Sequence, residues 1–133
     1  MKDITLTSVI HVCKMSELAE SKQQLLKLAI DASEKAYAPY SKFKVGAAVL
    51  LKNGVKVTGS NQENAAYPSG LCAERTAVFS ANAQYPDQPI VALAIAARNA
   101  KGLLNLPITP CGACRQVVLE AEHRFKHPIK ILL

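Results

Sequence analysis

The sequence predicts an α/β domain: a mixed β-sheet with helices on both faces. Two observations carry this. Half of the 133 residues are apolar, yet only 5% are aromatic and none is Trp, so the interior must be built from Ala, Val, Leu and Ile. That composition suits a sheet packed under helices and excludes a disordered chain. The apolar spacing also alternates between helical and strand periods, in the order α-β-β-α-β-α-β. The length fits one compact core, and residues 1–133 are read as a single domain.

Ile4 to Val12 has partial period-2 character, which fits a short strand or an arm. From Glu17 to Lys35 the residues Leu18, Leu25, Leu28, Ala29 and Ala32 fall on helical spacing, with Ser16 as N-cap and Pro39 beyond the far end. Phe43 to Leu51 is rich in small and branched apolar residues. Asn53 and Gly54 then offer a type I′ turn into Val55–Thr58, which predicts a β-hairpin. Asn61 to Gly70 reads as a loop, Cys72 to Ala83 as a helix, and Ile90 to Ala97 as a strand buried on both faces. Asn99 to Thr109 is a second loop. Gly112 to Glu122 is a helix with Val117, Val118 and Ala121 on one side, and Ile129 to Leu133 is a strand. Two strand-helix-strand passages imply neighbouring parallel strands, while the hairpin adds an antiparallel pair. Ending on an apolar strand without a polar tail suggests that a terminal element is missing.

Sixteen Lys and Arg against ten Asp and Glu give a net charge of +6. Lys35, Lys42, Lys44, Lys52 and Lys56 are scattered, without the dense run or interleaved aromatics of a nucleic-acid groove, so no nucleic-acid partner is expected. No stretch approaches the roughly 18 apolar residues of a membrane helix. The N-terminus lacks the apolar block of a secretory signal, and a cytoplasmic location is expected. Tyr37, Tyr40 and Phe79 are read as packing residues.

The cysteines carry the chemistry. Cys13, Cys72, Cys111 and Cys114 are too few and too unevenly spaced for a disulfide framework. Cys72-Ala73-Glu74 and Pro110-Cys111-Gly112-Ala113-Cys114 both sit where a loop passes into a predicted helix. There the free N–H groups and the helix dipole favour thiolates, the form that binds metal. A pair separated by two residues can grip one tetrahedral ion, and a third thiolate from another helix end completes a face, leaving the fourth position for water. Glu74 lies two residues after Cys72, about 200° around a regular helix. With Cys72 at the helix end, the carboxylate stands beside that water without ligating, as a proton shuttle must. Arg75 can donate to the sulfurs and offset their charge. Other readings of the residues stay open: a redox pair, which leaves Cys72 and Glu74 unused, or a closed structural site with Cys13 or His11 as fourth ligand.

Zinc deaminases that act on nucleobases share a Cys₃ variant, a non-ligand Glu and a downstream P-C-x-x-C. The resemblance then becomes specific. Tyr37 to Ser41 (YAPYS), Phe43 to Ala48 (FKVGAA), Asn61 to Ala65 (NQENA), Cys72 to Ala77 (CAERTA) and Pro110 to Gln116 (PCGACRQ) together resemble the small homotetrameric class of cytidine deaminases over roughly residues 20 to 133. The resemblance implies a three-layer fold, one Zn²⁺ per subunit on Cys72, Cys111 and Cys114, Glu74 as proton shuttle and Arg75 beside the thiolates. It further implies that Phe43 packs near the base, that Asn61 and Glu63 bind the ribose hydroxyls, and that the Ala73 backbone helps hold the base. Ala65 and Tyr67 would reach a neighbouring subunit's site in a homotetramer. Residues 1–19 extend beyond the family's usual start, and the family's final strand and helix are expected to be missing.

The implied activity is hydrolytic deamination of cytidine and 2′-deoxycytidine, small-molecule nucleosides, in pyrimidine salvage. Two rivals remain. One is deamination of a related aminopyrimidine such as blasticidin S, against which Glu63 argues. The other is a non-catalytic zinc-stabilised binding module.

Overall fold

The computed structural model describes residues 1–133. Its centre is the strand pair β1 (Lys44–Leu51) and β3 (Ile90–Asn99), buried on both faces and paired antiparallel over almost their whole length. β2 (Lys56–Ser60) pairs antiparallel with the other edge of β1. β5 (Lys130–Leu132) runs parallel to β3 beside Ala92–Ala94, and the two-residue β4 (Gly102–Leu103) pairs with the far end of β3. Since β1 already fills one edge of β3, β4 and β5 share the other.

Strand alternation assigns the helices. Ala48 and Leu50 of β1, with Ala92 and Ala94 of β3, pack under Leu25 and Ala29 of α1 (Glu20–Glu34). Ala47, Val49, Leu51, Leu93 and Ile95 face α2 (Ala73–Gln84) and α3 (Gly112–Phe125). Pairing jumps from Leu50–Ala92 to Leu51–Ile90, skipping Val91, so this bulge turns Ile90 toward the same core as Leu51. The result is the expected mixed sheet between helical layers. One glycine on each face lets a helix backbone approach: a Cβ on Gly46 would collide with Ala29 O and Ser33 N of α1, and one on Gly59 would lie 2.7 Å from Ala73 O of α2.

Several expectations change. Of the two forms expected for residues 4–12, they take the exposed arm and not the strand. The first helix starts at Glu20 with Ala19 as N-cap, because Met15–Glu17 forms a separate 3₁₀ turn that takes up Ser16. Gly54 alone in the hairpin turn has positive φ (+88°), so Asn53 is not in a type I′ turn. Gly54 N donates to Leu51 O and Leu51 N to Val55 O, which is a type I turn closed by a left-handed glycine, with a three-residue loop. The passage from β2 through α2 to β3 steps over β1, so β2 and β3 are parallel but not neighbours; only β3 and β5 are. Tyr37, Tyr40 and Phe79 are exposed rather than packed in the core.

Candidate metal centre and active site

Three cysteines converge where α2 and α3 begin. Cys72 precedes α2, Cys111 precedes α3, and Cys114 lies in the first turn of α3. Cys72 does not use its side chain to cap α2, which leaves its sulfur free for other partners. The helix starts meet because both helices pack on the same sheet face, and Gly59 lets the first turn of α2 sit directly on β2. The sulfurs of Cys72 and Cys111 are 3.9 Å apart, those of Cys111 and Cys114 3.5 Å, and all three lie within 4.8 Å of one another. A tetrahedral zinc with Zn–S bonds of about 2.3 Å holds its sulfurs about 3.8 Å apart, so the donor set fits the ion.

This is the only cluster of three or more metal-ligating side chains in the chain. Cys13 and His11 stand exposed outside it, so no fourth protein ligand closes the site as a purely structural one would require. An open position remains, as in catalytic centres.

The electrostatics follow from the helix starts. The Cys114 N–H donating to the Cys111 sulfur holds that thiol below its ordinary pKa, with help from the neighbouring sulfurs and the Ala113 N–H. Burial pushes the Cys114 thiol up, and the Glu74 carboxylate adds to the rise. Arg75 Nη2 donates to Cys72 Sγ at 3.5 Å, and this bond raises the guanidinium pKa further despite partial burial. Its Nε is buried with no protein partner. Glu74 is only 6% exposed, a carboxylate kept out of bulk water in the first turn of α2.

Beside the sulfurs runs an open groove of about 700 Å³ whose lining includes Asn61, Glu63, Ala65, Tyr67, Cys72 and Arg75. A short backbone ladder forms its floor: Gln62 exchanges both backbone hydrogen bonds with Leu71, and Tyr37 N and O bond to Asn61 O and Glu63 N. This ladder brings residues 61–63 alongside Cys72. Of the residues expected at a substrate, Phe43, Ala73 and Glu74 do not line the groove; Phe43 is half-buried, Glu74 is buried, and Ala73 is fully buried against Gly59.

Two side chains have work that the sequence did not disclose. Asn61 Oδ1 accepts from Val45 N at 2.7 Å and its Nδ2 donates to Phe43 O at 3.0 Å, so the carboxamide clamps the start of β1. Glu63 Oε2 accepts from the backbone N–H groups of Tyr40 (2.9 Å) and Ser41 (3.2 Å). Hydrogen bonding to the Ser41 side chain, then to these two amides, holds the Glu63 carboxyl below the usual carboxylate range, and Lys42 adds a smaller push. Lys42, just after this turn, is left-handed (φ 57°), as is Lys126 at the end of α3 (φ 50°), and no sequence signal announces either.

Comparison with known proteins settles the family. Residues 19–126 match the cytidine and deoxycytidylate deaminase zinc-binding region. The chain belongs to that family. The chain is 48% identical over 99 residues to the cytidine deaminase of Halalkalibacterium halodurans, covering 74% of this chain and 70% of that one. With a cytidine deaminase of Mycobacterium tuberculosis it shares 40% identity over 105 residues, 77% of this chain and 74% of the other. Among solved structures, a cytidine deaminase from Burkholderia pseudomallei matches with a TM-score of 0.64 at 48% identity over 72% of each chain. That of Mycobacterium tuberculosis matches at 0.68 and 37% identity, over 83% of this chain and 82% of the other. This deaminase-family chain therefore shares the fold of its relatives, and within the matched zinc-binding region Cys72, Cys111 and Cys114 are placed to hold a metal ion.

Proposed function

We infer that the chain hydrolyses cytidine and 2′-deoxycytidine to uridine and 2′-deoxyuridine with release of ammonia. The observation that carries the reading is three sulfurs at zinc spacing where α2 and α3 begin, with the buried Glu74 in the first turn of α2 and Cys72 lining the groove that bears Glu63. Cys72, Cys111 and Cys114 would hold the zinc, which when bound lowers the pKa of a water toward about 7. Glu74 takes the proton that this water gives up and delivers it to N3 of the cytosine ring. As the water's oxygen bonds to C4, the emptied carboxylate takes the remaining proton of that new C4 hydroxyl and hands it to the exocyclic nitrogen, whose bond to C4 breaks so that ammonia leaves and the C4 carbonyl of uridine remains. Arg75 offsets the negative charge of the thiolates through Cys72.

Glu63 offers the sugar one oxygen, Oε1, while Tyr40 and Ser41 occupy the other; a fixed carboxylate acceptor is what ribose hydroxyls require. Asn61 contributes the donor and acceptor capacity left over from its clamp on β1. We assign Phe43 and the Ala73 backbone to the base. Neither lines the groove of the single chain.

The groove is open on one side, where Ala65 and Tyr67 stand exposed, Tyr67 at 91%. We propose that a neighbouring subunit covers it in a homotetramer. The setting proposed is pyrimidine salvage in the cytoplasm, whose reducing milieu preserves the thiolates; recovery with envelope rather than cytoplasmic markers on cell fractionation would contradict it. No helix is long and apolar enough to cross a membrane.

One zinc-loaded preparation tests the function and the assembly together. Cytidine absorbance should fall with matching ammonia release, and light scattering should give four times the 14.3 kDa of one chain. Turnover of blasticidin S but not cytidine would move the activity to the rival substrate; no turnover of any aminopyrimidine would sink the enzymatic reading. A fully active monomer would remove the tetramer.

A further inference from the structure

Of the three sulfur donors, Cys111 is the exposed one; Cys72 is partly covered and Cys114 buried. It is also the one reached through the least structured segment. Residues 105–110 make no backbone–backbone hydrogen bond, Pro107 and Pro110 have no N–H to give, and only Ile108 among them packs against the core. One hydrogen bond holds this segment: Arg115 Nε donates to the Pro110 carbonyl at 2.9 Å. The Arg115 backbone N–H donates to the Cys111 carbonyl, also at 2.9 Å. One residue therefore holds the carbonyls on both sides of the Cys111 Cα.

We propose that Arg115 is a positioning residue for the metal site, fixing Cys111 in the sulfur triangle through the Pro110 carbonyl and so governing how long the ion is retained. Its role differs from that of Arg75, which reaches a sulfur directly. Without the side-chain bond, the peptide before Cys111 is free to rotate, and rotation about that link swings the sulfur off the site, while Cys72 stays anchored by the Gln62–Leu71 pairing just before it and Cys114 by its place inside α3. The inference rests on the zinc site and not on the identity of the substrate.

A built-in control lies at the other end of the same helix. Arg124 Nη2 donates to the Pro86 carbonyl at 2.6 Å, a bond of the same kind near the C-terminus of α3, the opposite end from the sulfurs. The experiment loads parent, Arg115→Ala and Arg124→Ala with zinc and follows its release to a chromophoric chelator. The same three proteins loaded with cobalt(II) report the ligand field through the thiolate-to-metal charge-transfer band. Arg115 is exposed on a helix, where Ala is well tolerated, so the variant is expected to fold. Arg115→Ala should release zinc about 10- to 100-fold faster, the usual cost of losing a group that orients a ligand, with an altered cobalt band. Arg124→Ala should match the parent in both. Release from Arg115→Ala at the parent rate would overturn the proposal. So would equal acceleration in Arg124→Ala, which would show general loosening of α3. A parent that holds no zinc overturns this inference and the metal site together, whereas zinc retained without cytidine turnover counts against the proposed function alone.

Discussion

At Glu63, a residue lining the groove, one carboxylate oxygen is committed to the Tyr40 and Ser41 amides, so the side chain ties the Tyr40–Ser41 turn. The hydrogen bonds favour the ionised form and depress the folded pKa. Because the folded value lies below the unfolded one, the tie is fully present above the ordinary Glu range of about 4.3 and is lost only as pH falls through the depressed folded value. A carbon-detected NMR titration should therefore find the Glu63 midpoint below that range, with the Tyr40 and Ser41 amide shifts moving in step. A midpoint at or above it, or amides that move independently, would remove the tie. Legibility at this scale depended on spacing. The cysteines announce themselves because two ligands sit three positions apart and Glu74 sits two from the third. Asn61 and Glu63 could be named, but not their structural bonds, whose partners lie 16 to 23 positions earlier in the chain.

The β1–β2 hairpin shows what elements owe to local chemistry. Asn53 followed by Gly54 marks a turn correctly, but the pair is compatible with two geometries. In the type I′ form both residues need positive φ; in the observed form only Gly54 does, and the Asn53 side chain accepts a hydrogen bond from Val55 N at 3.1 Å. Gly54→Ala should thus destabilise by about 1–2 kcal/mol, the cost of a left-handed non-glycine residue. Asn53→Ala should cost under about 1 kcal/mol, since it loses one exposed hydrogen bond. Chemical denaturation of both variants checks this, and equal costs would indicate the type I′ turn instead. The helices were legible to within about three residues from their apolar spacing, and the starts of α2 and α3 were found because Cys72 and Cys111 end their loops. α1 started late since Ser16, a good cap by type, was drawn into a 3₁₀ turn before the helix began. The segment from Ile4 to Val12 alternates like a strand but has no strand beside it to complete its hydrogen bonds.

For the molecule as a whole, the mixed sheet and its two helical faces follow from runs such as Ile90–Ala97 that are apolar on both sides. Strand order did not follow. Nothing local to β2, α2 or β3 says that β1 will lie between the two parallel strands; that is decided by antiparallel pairing of β1 with β3 along nearly its full length. The same long-range arrangement places α2 and α3 side by side and turns two sequence motifs 39 positions apart into one sulfur cluster. The central claim is that this cluster serves a carboxylate that moves protons, and Glu74→Gln tests it most directly. Gln keeps the size of Glu74 but cannot exchange a proton at neutral pH, so the variant should retain one zinc per chain. Its cytidine turnover should fall by about 10⁴-fold or more, the upper range for one acid–base group, since Glu74 serves several transfers in a cycle. A Glu74→Gln protein that holds zinc and deaminates cytidine within a few-fold of the parent would contradict the account.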